Sequence, residues 1–192
     1  MIAPTTKVSG QRTIFLRVLR QDSPDSLPRW ERFEIEVEPG MNLISCLQRV
    51  AANPITVDGD SSTPIVFDCG CLEEVCGSCA MVINGQVRPS CTALIDEYAP
   101  RDGDEIVLEP MNKFPIVRDL MVDRERLFHN LKRVKAWVPI DGTYDLGSGP
   151  LDTPEHQQMR YTMSTCMSCG CCLEACPQFN KEDAPSGWDD AF

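Results

Sequence analysis

The sequence predicts an α+β protein: strands around one helix in residues 1–111, then a helical domain in residues 112–192. Three observations carry that expectation. Apolar and polar residues alternate through Arg12 to Gln21 and again through Trp30 to Val37, the period of half-buried strands. From Ile116 the apolar spacing lengthens to three and four residues, the period of a helix. The cysteines fall into two separate groups, Cys71 to Cys91 in the first part and Cys166 to Cys176 in the second.

Taken in order, the first strand sets Ile14, Leu16 and Val18 on one face, with Arg17 and Arg20 among the others, and the second uses Phe33, Ile35 and Val37. The turn-rich stretch Asp22 to Pro28 joins them. Pro39-Gly40 closes the second strand, and Asn42 is placed to cap a helix whose stripe is Leu43, Ile44, Leu47 and Val50. Cys46 lies on that helix, 23 residues from the next cysteine, and reads as a small buried hydrophobe. After a loop through Asn53 to Thr63, the apolar run Ile65-Val66-Phe67 leads to the first thiols. Asn84-Gly85, between Ala80–Ile83 and Gln86–Arg88, is a two-residue hairpin signal that brings Cys91 back towards them. Ile106-Val107-Leu108 is a last short strand. Val117, Leu120, Met121, Leu127, Phe128, Leu131 and Val134 predict an amphipathic helix from Ile116 that ends near Pro139. Asp141-Gly142 and Gly147 to Pro150 mark a connection, and Thr153-Pro154-Glu155 starts a second helix.

The two cysteine groups carry the chemistry. Cys71, Cys76, Cys79 and Cys91 make C-x4-C-x2-C-x11-C, the plant-type [2Fe-2S] spacing. Gly70 and Gly77 stand where a loop must wrap closely, and backbone amides there could hydrogen-bond the sulfurs. Cys166, Cys169, Cys172 and Cys176 make C-x2-C-x2-C-x3-C-P. In that run three thiolates grip one cubane cluster and the fourth, followed by Pro177, serves a second cluster. The alternative for the first group is a structural zinc held by the same four thiolates; Cys69, two residues before Cys71, reads as a spare thiol or else as an alternative ligand. A Rieske centre would need two histidines, and His129 and His156 lie in neither loop.

Composition narrows the function classes. The chain has 192 residues, eleven cysteines and a formal net charge of -11. That balance opposes non-specific nucleic-acid binding, which needs surplus cations to displace phosphate counterions. An odd cysteine count, tight C-x2-C pairs and no apolar leader in Met1 to Gly10 favour metal over disulfides and a reducing compartment. No window approaches the ~18 apolar residues of a membrane span, so the chain is expected to be soluble by itself. There is no G-x-G-x-x-G and no Walker loop. Between Asn112 and Ala136, seven cations (Lys113, Arg118, Arg124, Arg126, Lys132, Arg133, Lys135) stand against Asp119, Asp123 and Glu125, a local excess of +4. This stretch is either a solvated face or a docking face for an acidic partner.

A β domain with the first cysteine set, followed by a helical domain with the second, resembles the iron-sulfur subunit of succinate dehydrogenase and fumarate reductase. The segments that carry the resemblance are Cys71-Leu-Glu-Glu-Val-Cys76-Gly-Ser-Cys79-Ala-Met-Val-Ile-Asn-Gly, Arg88-Pro-Ser-Cys91-Thr-Ala-Leu-Ile, Leu108-Glu-Pro-Met, Phe114-Pro-Ile-Val-Arg-Asp-Leu and Lys135-Ala-Trp-Val-Pro-Ile-Asp-Gly-Thr-Tyr. They look most like the Gram-positive branch, whose anchor is a cytochrome b subunit with two haems and whose quinone is often menaquinone. The resemblance implies a β-grasp [2Fe-2S] ferredoxin-like domain and an all-α ferredoxin-like domain. It implies that Cys71, Cys76, Cys79 and Cys91 bind [2Fe-2S], that Cys166, Cys169 and Cys172 bind [4Fe-4S], and that Cys176 binds [3Fe-4S]. It also implies electron passage from a flavoprotein (FAD) subunit oxidising succinate to membrane quinone, with this chain held peripherally on the cytoplasmic face of the cell membrane by its partners. No catalytic residue for hydride transfer is expected here.

The family set needs eleven cysteine ligands, but only eight cysteines here match it; Cys46, Cys69 and Cys171 are spares. The later cysteine-proline segment of the family is not matched, and the loop-like stretch before Phe192 leads to the expectation of a truncated product with an incomplete helical domain. Gln178-Phe179-Asn180-Lys181 does not match the aromatic residues near the family's ubiquinone pocket. The other readings are the same subunit in a fumarate reductase and a stand-alone [2Fe-2S] carrier.

Overall fold

The computed structural model describes residues 12–137 and 152–179. Strands β1 (Thr13–Arg20) and β2 (Arg29–Glu36) form an antiparallel hairpin, and helix α1 (Leu43–Ala52) follows. A second hairpin, β3 (Ala80–Ile83) and β4 (Gln86–Pro89), leads through the short helix α2 (Ile95–Tyr98) to β5 (Glu105–Glu109). β5 enters between the hairpins, parallel to β1 and antiparallel to β3, which gives a five-stranded sheet of order β2-β1-β5-β3-β4. This is the expected α+β architecture, with α1 laid against one face.

The period-two and period-four stripes meet in one core. Ile14, Leu16 and Val18 from β1, Phe33 and Ile35 from β2 and Ile106 and Leu108 from β5 pack with Leu43, Leu47 and Val50 of α1, all buried. Each such side chain contributes about 1.5–3 kcal/mol on leaving water. Asn42 caps α1 as its position predicts: its side-chain oxygen accepts the Ser45 amide at 2.9 Å.

Cys46 lies in this core, and burial pushes its thiol up from 9.0 to about 12, with Arg49 opposing. The folded chain holds that proton more tightly than the unfolded one, so this contribution is complete below about pH 9 and is lost between pH 9 and 12. Chemical melts at stepped pH should show the Cys46→Ala variant losing less stability than the parent across that window. Equal slopes would count against the buried thiol as the cause.

Two sequence expectations change. Arg20 does not join the solvent face of β1: by parity it shares the face of Ile14, Leu16 and Val18, and it is fully buried. Its guanidinium forks onto Asp119, Nε to Oδ1 at 2.9 Å and Nη2 to Oδ2 at 3.0 Å, while Nη1 donates to Glu31 at 2.7 Å. The helix predicted from Ile116 also starts later. Residues Ile116–Arg118 (β6) and Met121–Val122 (β7) form a small antiparallel hairpin turned at Asp119, whose φ is +49°. Asp119 accepts the Gln21 and Val66 amides besides Arg20, and Leu120 is buried in the main core. Tertiary bonds thus override the helical period, as they commonly do for short segments.

The helix proper is α3 (Glu125–Arg133). Beyond it come α4 (Pro154–Ser164), started by Thr153 whose hydroxyl accepts the His156 amide, and α5 (Cys171–Ala175). Pro139, the 141–150 connection and the final loop lie outside the described residues. Among the described residues no helix is long and apolar enough to cross a membrane.

Candidate metal centre

The first cysteine loop is built to surround an anion. Leu72, Glu74 and Gly77 take left-handed backbone conformations at φ +61°, +56° and +70°. Such a winding turns successive amides inward, a backbone nest. The Cys71 sulfur accepts from the amides of Glu73, Val75 and Cys76, each at 3.3 Å, and the Cys76 sulfur accepts from the Cys71 amide at 3.4 Å. The Ser78 hydroxyl and the Cys71 amide draw the Cys76 thiol down to about 6, which makes it largely thiolate at neutral pH. A Cβ on Gly70 would lie 3.1 Å from the Cys76 sulfur, so the close approach expected there is real.

The β3–β4 hairpin closes the group. Ala80 pairs with Pro89, and buried Ser90 binds the Cys79 carbonyl twice, by its amide at 3.1 Å and its hydroxyl at 3.0 Å. The Asn42 side-chain amide donates to the Cys91 carbonyl at 2.8 Å, which ties the end of α1 to this cysteine. Cys79 and Cys91 are buried and pack on Ile44 and Phe67. Burial, then the Cys79 thiol beside it, push the Cys91 thiol up.

The second run is fastened to the segment before β6. Glu174, inside the x3 spacer, accepts the amides of Asn112 and Lys113 at 3.1 and 3.0 Å, and the Lys113 ammonium donates to the Cys176 carbonyl at 2.5 Å. Gly170, at φ +82°, starts α5 against the ring of buried Phe114. Cys171 packs beside Phe114, Met111 and Val122. Its thiol is pushed up by donating to Cys169, whose own thiol falls to about 6 through that bond, with further help from the Cys171 amide and Arg124. Cys166 and Cys172 face a cavity of about 520 Å³ lined also by Leu127, Leu131, Val134 and Leu173.

Replacing Glu174 with Ala should leave two backbone donors without their carboxylate, at a cost of about 1–3 kcal/mol. Amide exchange at Asn112 and Lys113 should accelerate about tenfold or more; unchanged exchange would remove Glu174 from this role.

The two runs touch. Gly77 of the first loop lies directly against Met167 and Cys169 of the second, and Arg124 bonds the carbonyls of Gly77 and Ser78. Arg124 is therefore not part of an outward docking face; its side chain is 12% exposed. His129 and His156 are exposed and stand 3.4 and 3.5 Å from the carboxylates of Glu125 and Asp152. Sequence reasoning missed the roles of Ser78, Ser90, Arg124 and Glu174; Ser78, Ser90 and Glu174 were signalled only by lying inside cysteine spacers, and Arg124 only as one cation of the basic stretch.

Comparison with known proteins agrees with this geometry. Residues 15–129 match the family of 2Fe-2S iron-sulfur cluster binding domains. The succinate dehydrogenase iron-sulfur subunit of Bacillus subtilis is 53% identical, over 91% of this chain and 68% of the relative. The chain belongs to the iron-sulfur subunits of succinate dehydrogenase and fumarate reductase. The fumarate reductase iron-sulfur subunit of Wolinella succinogenes is 31% identical, over 86% of this chain and 66% of that one. A solved structure, the Mycobacterium smegmatis Sdh1 complex in the apo form, shares the fold at a TM-score of 0.65 and 21% identity, over 87% of this chain and 64% of its own. The chain thus spans about two thirds of the length of these relatives.

An iron-sulfur subunit is an electron-transfer component of an oxidoreductase, and its cofactors are iron-sulfur clusters: [2Fe-2S] in the matched domain, with [4Fe-4S] and [3Fe-4S] typical of the subunit. The residues present fit the first of these. Amide donors on two sulfurs, a hydroxyl on one of them, two buried cysteines and a glycine pressed against the Cys76 sulfur are what a thiolate-rich anion needs. Among the described residues no group of three or more histidine, cysteine, aspartate or glutamate side chains gathers tightly enough to hold a single metal ion.

Proposed function

We propose that this chain is the wire of a succinate:quinone oxidoreductase. Cys71, Cys76, Cys79 and Cys91 hold [2Fe-2S]; Cys166, Cys169 and Cys172 hold three corners of [4Fe-4S]; Cys176 is one ligand of [3Fe-4S]. When bound, the clusters supply one-electron reduction and oxidation. The protein's part is to hold them at fixed spacing, to donate amides to their sulfurs and to keep water from Cys79 and Cys91. The flavoprotein subunit oxidises succinate to fumarate, releasing two electrons and two protons, and a quinone takes up the same number to become quinol. This chain passes the electrons singly between them, on the cytoplasmic face of the membrane, against a cytochrome b-type anchor.

The observation that best supports this reading is the contact of the two cysteine loops at Gly77, since electron transfer needs adjacent centres. The similarity to the Wolinella succinogenes fumarate reductase subunit supports a second reading, the same wire run in reverse. The test is electron paramagnetic resonance on the anaerobically purified chain, oxidised and then dithionite-reduced, with iron, sulfide and zinc measured on the same sample. A reduced [2Fe-2S] signal that disappears in Cys91→Ala is expected. Zinc in place of iron, or a signal indifferent to Cys91, would overturn the assignment.

A further inference from the structure

The seam between the two cysteine loops is closed by a residue that is not a ligand. A Cβ on Gly77 would lie 2.7 Å from the Cys169 Cβ, 2.7 Å from the Met167 carbonyl oxygen and 2.8 Å from the Cys169 Cα. The backbone between Cys76 and Cys79 therefore rests directly on the backbone that carries Cys169. Arg124 secures the first side of this contact. Its Nη1 donates to the Gly77 carbonyl at 2.5 Å and its Nη2 to the Ser78 carbonyl at 2.9 Å, with Asp68 at 3.6 Å from the same nitrogen.

Arg124 is well placed to be rigid. It lies just before α3, two residues beyond β7, and β6 and β7 are anchored to the main core by Leu120 and by the buried Asp119–Arg20 pair. One side chain thus bridges two carbonyls of the first loop at the point where that loop meets the Cys169 turn.

We propose that Arg124 is a positioning residue for electron passage: its guanidinium holds the Gly77 and Ser78 carbonyls against the Cys169 turn and so sets the gap between the two clusters. The inference rests on the cluster assignment proposed above. In the step itself one electron crosses the seam, the donor being oxidised and the acceptor reduced by one unit, with no bond made or broken and no proton moved. Tunnelling falls steeply with distance, so a loosened seam slows this step without touching any ligand. The planar fork and the charge are separable, because lysine keeps the charge but cannot bridge two carbonyls in a fixed plane.

The experiment compares the full chain with Arg124→Lys and Arg124→Gln, each reconstituted anaerobically with iron and sulfide. Both variants are expected to keep the [2Fe-2S] signal. In both, amide exchange of Leu173 and Glu174, which bond the Gly170 carbonyl, should rise about tenfold as the seam opens. The midpoint potential of [2Fe-2S] should fall in Arg124→Gln, because a cation favours the more negative reduced state, and change far less in Arg124→Lys. Where the parent shows both clusters, faster relaxation of the [2Fe-2S] spin by its neighbour should weaken in both variants.

Unchanged exchange in both variants, or equal potentials in Arg124→Gln and the parent, would overturn the proposal while leaving the cluster assignment standing. A parent chain that takes up no [2Fe-2S] would overturn both.

Discussion

Asp119→Ala should destabilise the chain by about 3–5 kcal/mol, the cost of breaking a buried ion pair, with Glu31 left as the cation's remaining carboxylate partner. Arg20 and Asp119 are both fully buried, and the pair is bidentate. The aspartate does more than neutralise: it takes the amides of Gln21 and Val66, so its removal also strands two backbone donors. Asp119→Asn should cost less, because asparagine tolerates the φ of +49° and keeps one acceptor, though it loses the charge. The loss should persist at high salt, since buried pairs are poorly screened, whereas removing the exposed Asp22–Arg29 pair should matter little at any salt. Urea melts at two ionic strengths decide it. A loss below about 1 kcal/mol for Asp119→Ala would mean that the pair adds no net stability.

This network also shows where sequence reading reaches its limit. The strands of the first domain were legible because one face of each is buried and the other wet, so period two survives in the residue types. Asn42, Cys46 and the Asn84-Gly85 hairpin were legible for local reasons: a cap, an isolated thiol and a turn. Arg20 was not. Its parity pointed inward, but a cation at the end of an apolar stripe reads as solvent-facing until its partner is known, and Asp119 lies 99 positions away. The same partner undid the helix predicted from Ile116, because the spacing of Val117, Leu120 and Met121 suits a helix while Asp119 is drawn into a left-handed turn by bonds to Arg20, Gln21 and Val66. The cysteine spacings signalled iron-sulfur chemistry, which the family of the chain shares. They could not reveal that the loops meet at Gly77, since contact between distant segments leaves no local pattern beyond one glycine.

Gly170→Ala should release the second cysteine run while leaving the first domain folded. Gly170 holds a φ of +82°, which costs an L-residue roughly 1–2 kcal/mol. An added Cβ would also lie 2.6 Å from the Phe114 Cζ and 3.2 Å from both neighbouring ring carbons. Phe114 cannot easily retreat, because it is fully buried among Met111, Ala80 and Val122. Overpacking of this kind costs about 1–3 kcal/mol further. The strain falls on the contact between α5 and the segment before β6, so the hydrogen bonds of Glu174 to Asn112 and Lys113 should open with it. Exchange of the Leu173 and Glu174 amides should then approach that of an unprotected loop, while Leu16 and Ile106 in the main core stay protected. Any [4Fe-4S] signal should be lost with the [2Fe-2S] signal retained. A second substitution separates strain from collision: Phe114→Leu vacates ring space, so the double variant should recover part of the protection, and what it fails to recover is the cost of φ. If Gly170→Ala instead weakened both domains equally, α5 would be an integral part of the first core rather than a run docked onto it.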